Sequence, residues 1–189
     1  MKAASRMGLA GFSGRQAVVA GHWVKLELDV AGFDQDRFEQ YVTKCQSEGL
    51  HFMTLADLRD TPEHRRALYE LNKECAADIP ERGDFYSFDE YVERRFEVAS
   101  YDPRGVVIAL DGESWVGMAA TSRHEDFMFN EMTGVRTGYR GQGISIAMKT
   151  FGMAFVKECG ASRIRTFHHP ANASAIAMNR KMGFVDTVD

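Results

Sequence analysis

The chain has 189 residues, enough for one compact domain with a sizeable core. Its 44% hydrophobic content, its formal net charge of −4 and the lack of any Lys/Arg run argue against a nucleic-acid-binding protein. No stretch approaches the ~18 apolar residues of a membrane span, no signal-peptide core follows Lys2 and Arg6, and three cysteines, an odd number, fit a reducing cytoplasm.

Taken in chain order, 16–20 and 23–28 alternate as two strands joined at Gly21-His22. A helix is expected over 34–46, with Phe38, Tyr41, Val42 and Cys45 on one face and Gly49 as its stop. A short strand follows at 50–55. Asp60-Thr61-Pro62-Glu63 opens the next helix, with Leu68, Leu71 and Cys75 on its buried side. After a charged loop, Ser87-Phe88-Asp89-Glu90 forms a capping box for a helix running through Tyr91, Val92, Phe96 and Val98. A hairpin over 106–110 and 115–121 turns across Asp111-Gly112. A long strand over 127–137 leads into a glycine-rich turn, and a further strand over 163–167 precedes a helix capped by Asn172.

The rest is organised around Val135 to Met148. The turn passes through Gly138, Gly141 and Gly143, then Ile144, Ala147, Met148, Phe151, Ala154 and Phe155 fall on one helical face. A glycine turn that opens a helix presents free backbone N–H groups at the positive end of the helix dipole, and Arg140 adds a full charge. This is a phosphate cradle. It lacks the Lys-Ser/Thr of a P-loop, and its spacing is not G-x-G-x-x-G.

Arg140-Gly141-Gln142-Gly143-Ile144-Ser145 resembles the R/Q-x-x-G-x-G/A signature of the GCN5-related N-acetyltransferases, with Ser145 where Gly or Ala is usual. Asn172 to Phe184 resembles the later N-x-x-A-x-x-x-[Y/N]-x-x-x-G-F helix of that family. The likeness spans roughly Phe52 to Val185. It implies an α+β fold with a mixed, mostly antiparallel sheet between helices, and acetyl-CoA as co-substrate. The core is expected over 50–189, with 1–49 as an added strand pair and helix. The family usually has two more strands after the Gly-Phe helix, where this chain has five residues after Phe184. Residues 1–30, read as the tail of an upstream repeat, would supply those strands to their own sheet or to a partner's in a homodimer.

Acetyl transfer to an amine needs a base, because a free alkylamine has a pKa near ~10.4. The resemblance implies a base in the strand before the loop, and Glu131 is the candidate. Alternation puts Glu131, Thr133, Val135 and Thr137 on one face, and a β-bulge would change that parity. A salt-bridge role for Glu131 stays open. Asn179 stands where many relatives have a tyrosine acid. It would hold the sulfur or the pantetheine arm, or serve as a buried amide. The resemblance implies cofactor contacts from Val135, Arg136, Thr137, Arg140, Gly141, Gln142, Gly143, Ile144, Ser145, Asn172 and Asn179. No metal is expected, since adjacent His168 and His169 point opposite ways on a strand.

The expected function is transfer of an acetyl group from acetyl-CoA to a primary amine, of a small molecule, by direct attack. The alternative is an acyl-CoA-binding module without catalysis. A dinucleotide site is disfavoured, since Glu158, at the right distance for the ribose, sits on a helix.

Overall fold

The computed structural model describes residues 23–77, 79 and 83–187. The strand expected over 16–20 lies outside them. Seven strands form one sheet, ordered β2-β3-β4-β5-β6-β1-β7. They are β1 (Val24–Asp29), β2 (Leu50–Thr54), β3 (Val106–Asp111), β4 (Ser114–Arg123), β5 (Met128–Val135), β6 (Arg163–His168) and β7 (Val185–Asp186). The helices are α1 (Gln35–Ser47), α2 (Pro62–Ala76), α3 (Phe88–Arg95), α4 (Ile144–Glu158) and α5 (Ala173–Lys181). β5 and β6 pair in parallel, and the other neighbouring pairs are antiparallel. This is the expected α+β arrangement. No helix among the described residues is long and apolar enough to cross a membrane.

The helix starts follow from local chemistry. Asp34, Thr61, Ser87 and Asn172 each accept a hydrogen bond from a first-turn amide of α1, α2, α3 and α5. At α3 the full capping box forms. That helix stops at Arg95, short of Val98, which is exposed.

Helices cover both faces of the sheet because successive strand residues point opposite ways. On β3, Val107 and Ala109 pack with residues of α1 and α4, while Val106, Ile108 and Leu110 pack with α2 and α3. α5 shares the α1/α4 face, where Ile176 and Met182 join Leu26, Leu28, Ile146, Met153 and Ile164.

β1 lies between β6 and β7 of its own chain. Val24–Asp29 pairs in continuous register with His168–Arg163, and Leu26 lies opposite Asp186. Leu26 has no exposed surface. Glu27 pairs with both Arg163 and Arg165 across the strand boundary, at 3.0 and 2.7 Å. Beyond β6 the sheet thus continues with β1, from the N-terminal part of the described chain, and ends with β7.

Candidate active site

The loop between β5 and α4 begins with a short 3-10 turn over Thr137–Tyr139. Gly141 and Gly143 take φ of +78° and +86°, a left-handed backbone that suits glycine. A Cβ at Gly143 would also sit 2.6 Å from the Tyr41 ring of α1. Gly143 caps α4 without any side-chain hydrogen bond, unlike the caps of the other four helices. The first backbone bond of α4 runs from Ala147 N to Gly143 O, so the amides of Ile144, Ser145 and Ile146 have no intrahelical acceptor. Tyr139 donates to Asp111 at 2.7 Å, which ties the loop to the β3–β4 hairpin. Gln142 donates back to the Gly138 carbonyl at 3.4 Å. Lys181 of α5 lies 5.0 Å over the Tyr41 ring, which brings a second cation toward the mouth of α4. Neither Tyr41 nor Lys181 stood out in the sequence as part of a site, because both reach the loop only through tertiary packing.

Next to this helix end the sheet opens. β5 and β6 pair only at Met128–Ile164 and Phe129–Arg165. At the apex of the gap, Thr166 Oγ1 donates to the Asn130 carbonyl at 3.3 Å. Arg136 N donates to Val116 on β4, so the amide and carbonyl of Val135 point the other way, into the gap. The Val135 carbonyl accepts from Arg140 Nε at 3.0 Å. Arg140 thus joins the loop to the strand edge. Arg136 turns its side chain toward Glu74 of α2, 3.1 Å away.

Glu131 departs from the expected parity. The β4–β5 register shifts between Ala120–Met132 and Thr121–Asn130, leaving Glu131 as an inserted residue. Val135 packs with α4 residues, whereas Glu131 meets Arg95 of α3 at 2.5 Å. The two residues lie on opposite faces. Glu131 also accepts from Ser122 Oγ at 2.7 Å, and Ser122 lies 3.1 Å from Nε2 of the exposed His124. With its proton given to Glu131, Ser122 can only accept from His124, so Nε2 carries a hydrogen there. A hydrogen-bonded path thus leads from the carboxylate to solvent.

Asn179 has no exposed surface, and its amide is fully engaged. Its nitrogen donates to the Ala175 carbonyl at 2.9 Å, which fixes the orientation of the amide, and to His168 Nε2 at 2.8 Å. Its oxygen accepts from Lys149 Nζ of α4. Asn179 is a buried amide that ties α4, α5 and β6 together. It does not stand open to a ligand as a holder of the sulfur. Burial pushes His168 down to about 4, helped by the charge of Lys149, so the ring is neutral and Nε2 is an acceptor. Burial likewise pushes Lys149 down to about 7. Asn172 uses its side chain to cap α5, accepting from Ala175 N and Ser174 Oγ. It does not share an open face with Asn179. His169 accepts from Ala171 N, away from His168, and no group of three metal-ligating side chains occurs among the described residues.

A family model described as the acetyltransferase (GNAT) family matches residues 65–184. Mycothiol acetyltransferase of Thermobispora bispora is 29% identical over 150 residues, covering 75% of this chain and 49% of that protein. Its counterpart in Streptomyces scabiei is 29% identical over 125 residues, covering 65% and 40%. The chain therefore spans half or less of the length of these curated relatives. Among solved structures, an aminoglycoside acetyltransferase from an uncultured soil metagenomic sample, in complex with sisomicin, superposes with a TM-score of 0.60 at 15% identity, covering 76% of this chain and 94% of that one.

Proposed function

The chain belongs to the acetyltransferase (GNAT) family, and from that premise we propose that it moves an acetyl group from acetyl-CoA to a primary amine of a small molecule. The observation that carries the reading is the uncapped start of α4 beside the gap between β5 and β6. The residues present fit a diphosphate: amides from Gly141 to Ser145 converge at the positive end of a helix, with Arg140 alongside. The edge of β5 at Val135 offers backbone groups to the amides of a pantetheine arm, as one strand pairs with another. Two relatives are named for mycothiol and for an aminoglycoside, which supports a small-molecule acceptor.

Glu131 is the base of this proposal. It stands on the α2/α3 face beside Arg95 and takes the amine proton as the amine attacks. The neutral amine attacks the thioester carbonyl directly and gives up its proton to Glu131 as the bond forms.

One observation favours the alternative, an acyl-CoA-binding module without catalysis. Both carboxylate oxygens of Glu131 are engaged, one by Arg95 and one by Ser122. Thiol release from acetyl-CoA across a panel of primary amines separates the two. Amine-dependent release supports the transferase. Tight acetyl-CoA binding with no release for any amine supports the module.

A further inference from the structure

Lys149 is a cation placed among apolar groups that the steps above do not use. It follows Gly143 by six positions on α4, about 9 Å along the axis at ~1.5 Å per residue. In a parallel strand-helix-strand unit the helix runs back along its strand. About three strand residues cover that distance, which places Lys149 level with the middle of β5. The cavity lining agrees: Lys149, Asn130 and Thr121 share a space of about 20 Å³, room for one water. Asn130 Nδ2 is buried there without a hydrogen-bond partner. Lys149 therefore stands on the α4 face at the level where Glu131 stands on the other face, with the gap beyond Phe129–Arg165 opening beside them.

We propose that Lys149 is the acid of the transfer, giving a proton to the leaving CoA sulfur from the α4 face while Glu131 takes the amine proton from the α2/α3 face. The inference rests on the acetyl-CoA reading above. The amine nitrogen bonds the acetyl carbon and loses a proton to Glu131. The carbon–sulfur bond breaks with its electron pair on sulfur. The sulfur takes a proton from the Lys149 ammonium, and the neutral amine left behind is reprotonated from solvent. Asn179 is a positioning residue, since its oxygen holds Nζ and its nitrogen is fixed by Ala175 and His168.

The surroundings suit the task. The groups facing Lys149 are Asn179 and, beyond it, neutral His168. The Phe184 ring lies 4.8 Å away, and Asn130 and Thr121 stand across the cavity. No carboxylate pairs with Lys149 among the described residues. Burial holds the ammonium near 7, below the ~8.5 of an ordinary thiol, so the proton moves downhill to a thiolate.

The test uses CoA binding by calorimetry, the ultraviolet thiolate absorbance of bound CoA against pH, and the pH profile of kcat. Wild type, Lys149→Met and Lys149→Arg are compared. The wild-type kcat is expected to fall above neutral pH as Lys149 loses its proton. In Lys149→Arg, which stays charged but cannot give up a proton, that limb is lost and kcat drops as in Lys149→Met. In Lys149→Met the limb is lost and kcat drops by about 10²-fold. The thiol of bound CoA is expected to ionise at lower pH in wild type and Lys149→Arg than in Lys149→Met. A Lys149→Met variant that binds CoA with an unchanged pH profile and thiol titration overturns this inference alone. CoA that fails to bind wild type overturns the acetyl-CoA reading together with it.

Discussion

Glu131 and Val135, four positions apart on β5, face opposite sides of the sheet because the strand carries one extra residue at Glu131. The bulge turns the carboxylate toward α3, where Arg95 and Ser122 hold it, and leaves Val135 against α4. Glu131 and Val135 thus stand on different faces of the sheet, beside the gap between β5 and β6.

Glu131→Gln keeps the shape of the side chain and removes the proposed base. The rate of acetyl transfer at neutral pH is expected to fall by about 10²-fold or more, with acetyl-CoA affinity nearly unchanged. Steady-state kinetics beside calorimetry measures this. A full rate, or a deficit wholly mirrored in binding, removes Glu131 as base.

Arg140 bridges the glycine loop to the Val135 carbonyl and brings charge to the cradle. Arg140→Ala is expected to weaken acetyl-CoA binding by about 1.5–3 kcal/mol, the scale of a lost charge-assisted hydrogen bond. Unchanged affinity by calorimetry places the diphosphate elsewhere.

Lys149 carries a pH signature in stability as well as in rate. Its folded pKa, about 7, lies below its unfolded value near ~10.4, so the unfolded chain binds more protons between these limits. Relative to Lys149→Met, the wild type is expected to gain stability as pH rises from 7 toward 10, by up to about 1.4 kcal/mol per pH unit. Below pH 7 the difference levels off. Denaturant titrations at pH 6, 7, 8 and 9 check this, and a pH-independent difference contradicts it.

β1 is part of the core. Leu26, fully buried between β6 and β7, packs with Ile164 and Phe184 in one cluster. Leu26→Ala is expected to cost about 2–5 kcal/mol. A loss under about 0.5 kcal/mol in equilibrium unfolding would make the strand an ornament.

Where an element depends on neighbours in sequence, it was legible. The Ser87–Glu90 box, the Asp111-Gly112 hairpin, the glycine loop and the periodicity of α4 are all local signals. The strand near Val24 was legible as well, but whether it joined its own sheet or a partner's was not, and the structure pairs it beside Val185 of its own chain. What escaped depends on distance. A bulge adds one residue to a strand without changing its composition, so the parity of Glu131 was read one step wrong. Lys149 reads as a polar position on a helix, and only α5 folding over it makes it a half-buried cation held by Asn179. Asn179 carried the right residue type for a ligand contact, yet Ala175, His168 and Lys149 take up its amide. Arg95 reaches Glu131 across 36 positions, a pairing no local pattern announces.

The most direct measurement is a crystal structure of the protein with CoA. Diphosphate oxygens are expected within about 3 Å of the amides between Gly141 and Ser145, with the thiol arm entering the gap between β5 and β6. A diphosphate bound away from the start of α4, or an arm that leaves the gap closed, contradicts that placement.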